Sequence, residues 1–320
     1  MSDATTRVDV DNIMSSRRIT FGITGPTEAD AISEFEDMGV ESLWVGGHIA
    51  SRNPSPECMV YLSVVAARST VPVGTSILLL PLYPPAMVAK QVADLDNAVG
   101  GRIILGIGVG GEYPKEFEAI GVSIKERGAR ANEAIPLIRE LWSAEPVTHD
   151  GRFFPMEEVK IHPAPPRRGG PPIVVSGRQE PAMRRAALLG DGWMPYMYSA
   201  RRYKESVGRI HDLAGDEARS LDGFAWMSYI PVCIDDDPVA AQQDGAAFLG
   251  GTYRQDFEEM IKHIGAVGTA EDVADRLCQY VEAGARHFIF LPTRREALVE
   301  QTGRLIEEVM PTVRAALGSA

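Results

Sequence analysis

The sequence is poor in cysteine, and its three, Cys58, Cys233 and Cys278, stand far apart with no C-x-x-C pair among them. An odd number at such spacing builds neither a disulfide framework nor a zinc site, so a reducing, cytoplasmic setting is expected. Long apolar runs are missing too. No stretch approaches the ~18 residues a membrane helix needs, and Met1 to Arg17 is polar and acidic without an apolar signal core. That segment, 1–17, reads as a flexible tail ahead of one domain over residues 18–320. Positive charge is in deficit: 32 Lys and Arg face 44 Asp and Glu, a formal net charge of -12. Neither nucleic acid nor a membrane is an expected partner in such a field, and any anionic ligand must meet local arginines. The absence of a G-x-S-x-G elbow and of an H-x-x-x-H pair removes support for a serine hydrolase and for metal catalysis, and no metal ligand is assigned.

What is present is a rhythm. From Arg18 onward, short β-branched runs alternate with amphipathic stretches, as in βα units around a parallel sheet. Eight strands are expected: Ile19–Thr24, Ser42–Gly46, Val73–Leu79, Ile103–Val109, Ile173–Ser176, Gly192–Pro195, Ala225–Cys233 and His287–Leu291. Between them, Val88, Val92, Leu95 and Val99 mark one helical face before a Gly100-Gly101 stop. Ser123 to Glu126 has the form of a capping box opening a helix with a buried stripe of Ala131, Ala134, Ile135, Ile138, Leu141 and Trp142. Eight such units favour a closed (β/α)8 TIM barrel of the α/β class over an open doubly wound sheet. The rhythm breaks at 148–170, where Gly151, Phe153-Phe154 and a Pro-rich run imply a hairpin insertion after the fourth unit. It breaks again from Phe248 to Gly268, where extra helix and loop precede the last unit.

Gly106-Ile-Gly108-Val-Gly110-Gly111 matches the G-x-G-x-x-G spacing of a dinucleotide loop. A Rossmann fold needs that loop after its first strand, with an acidic residue ending the second strand about twenty positions on. Here three βα units come first, and the candidate acid, Glu133, falls in mid-helix. In a barrel the same glycines lie at the C-terminal end of the fourth strand, the face that carries barrel chemistry, where they let a flat ligand touch backbone.

The run Asp94 to Trp142 resembles the bacterial luciferase-like superfamily of flavin- and deazaflavin-dependent oxidoreductases. Leu43-WVGG-His48, Val73-GTSILLL-Pro81, Arg152-F-Phe154, Ile173 to Trp193 and Gly265 to Leu277 add to the likeness in order, so that it spans nearly the whole chain. The resemblance implies a (β/α)8 barrel holding coenzyme F420 or FMN at its strand ends, and is closer to the F420-dependent branch. It also implies pairing as a homodimer.

In that branch a histidine at the place of His48 lies beside the cofactor and exchanges a proton, a role suited to a group titrating near neutrality. The chain departs from the commoner pattern by having Gly46-Gly47 where an acidic residue often precedes the histidine. The family counterpart of Thr75-Ser76-Ile77 carries a non-prolyl cis peptide, carried over here to Ser76 and Ile77. By these likenesses Gly47, His48, Ser76, Ile77, Gly108, Val109 and Gly110 surround the ring. Ser176-Gly177-Arg178, between a strand end and a helix start, is the candidate phosphate site. Arg184, Arg185, Arg201 and Arg202 are neighbouring cations. Glu112, just past the glycine turn, is the carboxylate nearest the expected ring and the candidate catalytic acid or base. Trp44, Tyr196, Met197 and Tyr198 lie near strand ends, where they are candidates for a substrate-pocket wall or for core, and none is assigned a role. Three functions follow: an F420-dependent oxidoreductase exchanging hydride with a small organic substrate; an FMN-dependent monooxygenase served by a flavin reductase; or a non-catalytic cofactor-binding barrel.

Overall fold

The computed structural model of the protein describes residues 9–26 and 29–317. The expected eight strands are present: β1 Thr20–Thr24, β2 Leu43–Val45, β3 Val73–Thr75, β4 Ile103–Gly108, β5 Ile173–Ser176, β6 Gly192–Met194, β7 Ala225–Ile234 and β8 His287–Pro292. All pair in parallel, and the ring closes where Thr20 of β1 lies beside His287 of β8. This is a (β/α)8 barrel. Helices such as Cys58–Arg68, Pro85–Ala98, Arg127–Leu141 and Ala270–Glu282 wrap the sheet.

Both faces of the strands are buried, which is why they read as continuous apolar runs. Phe21, Ile23, Leu43, Leu105, Val175 and Phe288 point outward into the layer between sheet and helices. Trp44, Ile104, Val174, Met194, Met227 and Ile289 fill the barrel interior. The indole of Trp44 takes more than its strand's share of that space, and glycines on both neighbouring strands admit it. A β-carbon on Gly74 would stand 2.3 Å from Trp44 Cζ3, and one on Gly22 would stand 2.7 Å from its Nε1. Trp44 is therefore core.

The stripe expected on helix Arg127–Leu141 is buried from Ala131 to Trp142, and helix Pro85–Ala98 stops at Gly100 and Gly101, with φ of 73° and 80°. The expected capping box does not form. Ile124–Glu126 is a 3-10 turn in which Glu126 N–H donates to the main-chain oxygen of Ser123, while the Glu126 carboxylate takes Arg152. The insertion after the fourth unit is an antiparallel hairpin, Val147–His149 with Met156–Val159. Glu133 clamps it: its carboxylate accepts N–H groups of Phe153 and Phe154, each at 2.9 Å, and lies 3.3 Å from His149 Nε2.

Three expectations are corrected. The segment 1–17 is not a tail throughout: residues 1–8 lie outside those described, but Val10–Met14 form a helix whose Val10, Ile13 and Met14 pack against the barrel's interior residues. Burial of those three side chains outweighs the polar character of the surrounding sequence. The third strand is interrupted, with Ser76-Ile77 separating Val73–Thr75 from Leu78–Leu79, and the latter pair runs beside β4. The region before the last unit is more regular than expected: helices Pro238–Tyr253 and Glu258–Ile264 lead into a strand, Ala266–Gly268, that pairs with the long end of β7. No helix among the described residues is long and apolar enough to cross a membrane.

Candidate active site

The loops after the strands bring the expected residues to the C-terminal face. His48 follows β2, and its main-chain N–H donates to Pro56 O at 3.1 Å. Gly46 and Gly47 before it are demanded by crowding: a β-carbon on Gly46 would stand 2.7 Å from Ser76 O, and one on Gly47 would stand 2.3 Å from Pro56 O. The Ser76-Ile77 peptide is cis. On its other side, a β-carbon on Gly108 would meet Ile77 Cδ1 at 2.0 Å and Ser176 Cβ at 3.9 Å. Gly46, Ser76, Ile77, Gly108 and Ser176 thus form one continuous floor across β2 to β5. Val109 packs partly into the core, and Gly110 and Gly111 turn with φ of 61° and 124°. The Ser76 hydroxyl is buried on this floor beside the Tyr229 phenol.

The acid beside His48 is Glu116. Its Oε2 lies 3.2 Å from His48 Nδ1; the Glu116 side chain is 1% exposed and that of His48 41%. Glu116 belongs to the first turn of helix Pro114–Ile120, where the positive helix end favours a carboxylate. The hydrogen bond from Glu116 raises the His48 pKa against the opposing effect of burial, and the charges of Glu116 and Glu112 raise it further. Glu112 is exposed and acts on His48 through its field alone. With Nδ1 held by Glu116, proton exchange with a bound molecule falls to Nε2.

Gly177, with φ of 136°, turns the chain from β5 toward helix Glu180–Leu189, and Arg178 is exposed at that turn. Its Nη1 reaches only Met197 O, at 3.4 Å. The neighbouring cations are engaged elsewhere: Arg184 with Glu217, Arg185 with Asn132, Arg201 with Glu205, and Arg202 over the Tyr198 ring. Tyr196 forms an aromatic wall whose other members, Tyr229 and Tyr253, sequence reasoning missed. Tyr196 stacks on Tyr229 with ring centroids 4.6 Å apart, and Tyr253, from the extra helix before the last unit, lies 6.4 Å from Tyr196. Met197 and Tyr198 are buried beneath it.

The C-terminal face of the barrel thus brings together a glycine floor, one half-exposed histidine and a buried acid. The chain belongs to the luciferase-like monooxygenase family, whose model matches residues 24–287. It is 34% identical over 294 residues to an F420-dependent glucose-6-phosphate dehydrogenase of Kineococcus radiotolerans, covering 82% of this chain and 86% of that one. An F420-dependent secondary alcohol dehydrogenase solved with an F420-acetone adduct has the same fold, with a TM-score of 0.81 at 21% identity over 93% of this chain and 99% of that one. So does the oxygenating constituent of a Pseudomonas putida 3,6-diketocamphane monooxygenase in complex with FMN, with a TM-score of 0.73 at 18% identity over 92% and 98%. This fold thus occurs in a solved F420 complex and in a solved FMN complex.

Proposed function

We propose that this protein is an F420-dependent oxidoreductase that exchanges a hydride with a small organic substrate, and that His48, set by Glu116, carries the accompanying proton. The observation behind this reading is the His48–Glu116 pair at the C-terminal face. Interconverting an alcohol and a carbonyl moves one proton on oxygen for each hydride on carbon, so a half-exposed imidazole with a raised pKa has a defined task there. The residues fit a deazaflavin. A flat ring would lie on the close-packed floor of Gly46, Gly108 and the Ser76-Ile77 peptide, and Ser176, Gly177 and Arg178 would hold its phosphate. When bound, F420 supplies or accepts the hydride at its C5. In reduction, His48 Nε2 donates its proton to the substrate oxygen; in oxidation, neutral Nε2 takes it. Glu116 holds the ring and stabilises the imidazolium, and the tyrosine wall keeps water from the reacting carbon.

A second reading, an FMN-dependent monooxygenase with a separate reductase, is favoured by the fold shared with the FMN complex. Titrating the purified protein with F420 and with FMN separates the two: selective F420 binding is expected, and FMN-selective binding overturns the first reading. Within it, His48→Ala keeps F420 affinity and loses most turnover, about 10²-fold or more for a general acid–base group. Full turnover with F420 bound would remove His48 from the mechanism.

A further inference from the structure

Strand β8 is followed by Thr293-Arg294-Arg295, and the two arginines are used differently. Arg294 is consumed by the fold, paired with both Asp235 and Asp244. Arg295 is exposed and has no carboxylate partner among the described residues; its Nη1 reaches the Thr24 hydroxyl at 3.3 Å. Thr24 ends β1, the strand paired with β8, so that contact holds the guanidinium at the β8–β1 edge of the barrel mouth. Tyr61, at the same edge, is anchored by its hydroxyl donating to Gly25 O at 2.6 Å. Half-buried Tyr229 stands between this edge and the floor: burial raises its pKa most, and Arg295, Ser76, Tyr253 and Tyr61 are the neighbours its phenol senses.

The order of strands places this cluster. β5, which carries Arg178, stands opposite β1 in a ring of eight, whereas β2, which carries His48, is next to β1. One bare guanidinium therefore lies on the cofactor-phosphate side and another on the His48 side. A chain with a net charge of -12 repels anions at long range, so such an arginine over a recess matters only to a ligand that reaches it, where it forms paired, charge-assisted hydrogen bonds.

We propose that Arg295, with the hydroxyl of Thr24, is a substrate-anion subsite, so that the enzyme takes a small organic molecule bearing a carboxylate or phosphate and presents its other end to His48. This rests on the oxidoreductase reading for the reacting end only. Arg295 is a specificity determinant that binds and orients the substrate.

The test is calorimetric titration at low ionic strength with inorganic phosphate and, separately, acetate, using F420-loaded wild type, Arg295→Ala and Arg295→Lys. Wild type binds at least one of the two anions, and added salt weakens it. Arg295→Ala weakens that binding about 10- to 100-fold, the loss expected for charged hydrogen bonds, and Arg295→Lys retains part of it. F420 affinity stays the same in all three. Preference between the two probes assigns the subsite to phosphate or carboxylate. Equal binding by wild type and Arg295→Ala, or no millimolar binding of either anion by wild type, overturns the proposal. The same titrations in an Arg178→Ala background without F420 give an independent readout, so failure of F420 to bind would overturn the cofactor reading alone.

Discussion

His287 gives the most direct quantitative prediction. It begins β8 at the floor of the barrel, where Nδ1 lies 2.8 Å from Thr20 Oγ1 and Nε2 lies 3.2 Å from Ser42 Oγ, while Ser42 Oγ accepts the Trp44 indole N–H at 2.8 Å. One assignment satisfies the indole, the Ser42 hydroxyl and the imidazole together. Trp44 donates to Ser42, Ser42 donates to Nε2, and Nδ1–H donates to Thr20, which makes the imidazole neutral. Burial with no facing carboxylate pushes its pKa down to about 3. The unfolded chain titrates near 6.5, so a folded pKa below that value gives stability that is intact above pH 6.5 and is lost as pH falls from there toward 3. At ~1.4 kcal/mol per unit, the loss between pH 7.5 and 5.0 is about 2 kcal/mol, a large share of a typical folding free energy. His287→Gln keeps a polar side chain but does not titrate. Urea unfolding of both proteins at the two pH values isolates the effect, since all other groups cancel in the double difference. Wild type should lose about 2 kcal/mol more than the variant. Equal losses would mean that His287 is protonated in the folded state and that the neutral network is wrong.

Three further outcomes follow from the geometry. Glu116→Gln removes the main cause of the raised His48 pKa, so the His48 ionisation, followed by NMR and in the pH profile of kcat/KM, moves to lower pH; an unchanged ionisation would refute the pairing. Ile13→Ala on the floor helix, where Ile13 is 1% exposed, should cost about 2–5 kcal/mol in urea unfolding, and a change within error would show that the helix does not pack there. Glu133→Ala frees the Phe153 and Phe154 N–H groups, so tryptic cleavage after Arg152 should accelerate about 10-fold or more, against an unchanged rate if the clamp is idle.

The barrel was legible because each strand is buried on both faces and each crossover helix carries an apolar stripe, so periodicity and burial report the same thing. Where they part, the reading fails. Val10–Met14 is too short for a helical period to show, and what orders it is the apolar floor built by strands far along the chain. The Ser123 to Glu126 pattern is a valid capping signal, yet the 3-10 turn satisfies the same N–H from the main chain and leaves the side chain unused. Ala266–Gly268 became a strand only because β7 runs ten residues and outreaches its barrel neighbours.

The site divides in the same way. His48, the Ser76-Ile77 segment and Gly108 were findable because a strand end fixes which face a following residue reaches. Glu116 was not, since 68 positions separate it from His48 and its local setting is that of any first-turn carboxylate. Gly46-Gly47 looked like a gap where an acid was missing. Their missing β-carbons would stand within 2.7 Å of Ser76 O and Pro56 O, so no side chain of any kind fits before His48. With that route closed, the carboxylate comes from the first turn of the helix after β4, and it comes buried, whereas Glu112 four residues earlier stays in solvent. A buried acid holds a proton on imidazole more effectively than an exposed one, because less water screens the pair. The glycines at 46–47 and the glutamate at 116 are therefore one design: the first removes the local acid, and the second supplies it from the helix that closes over the histidine.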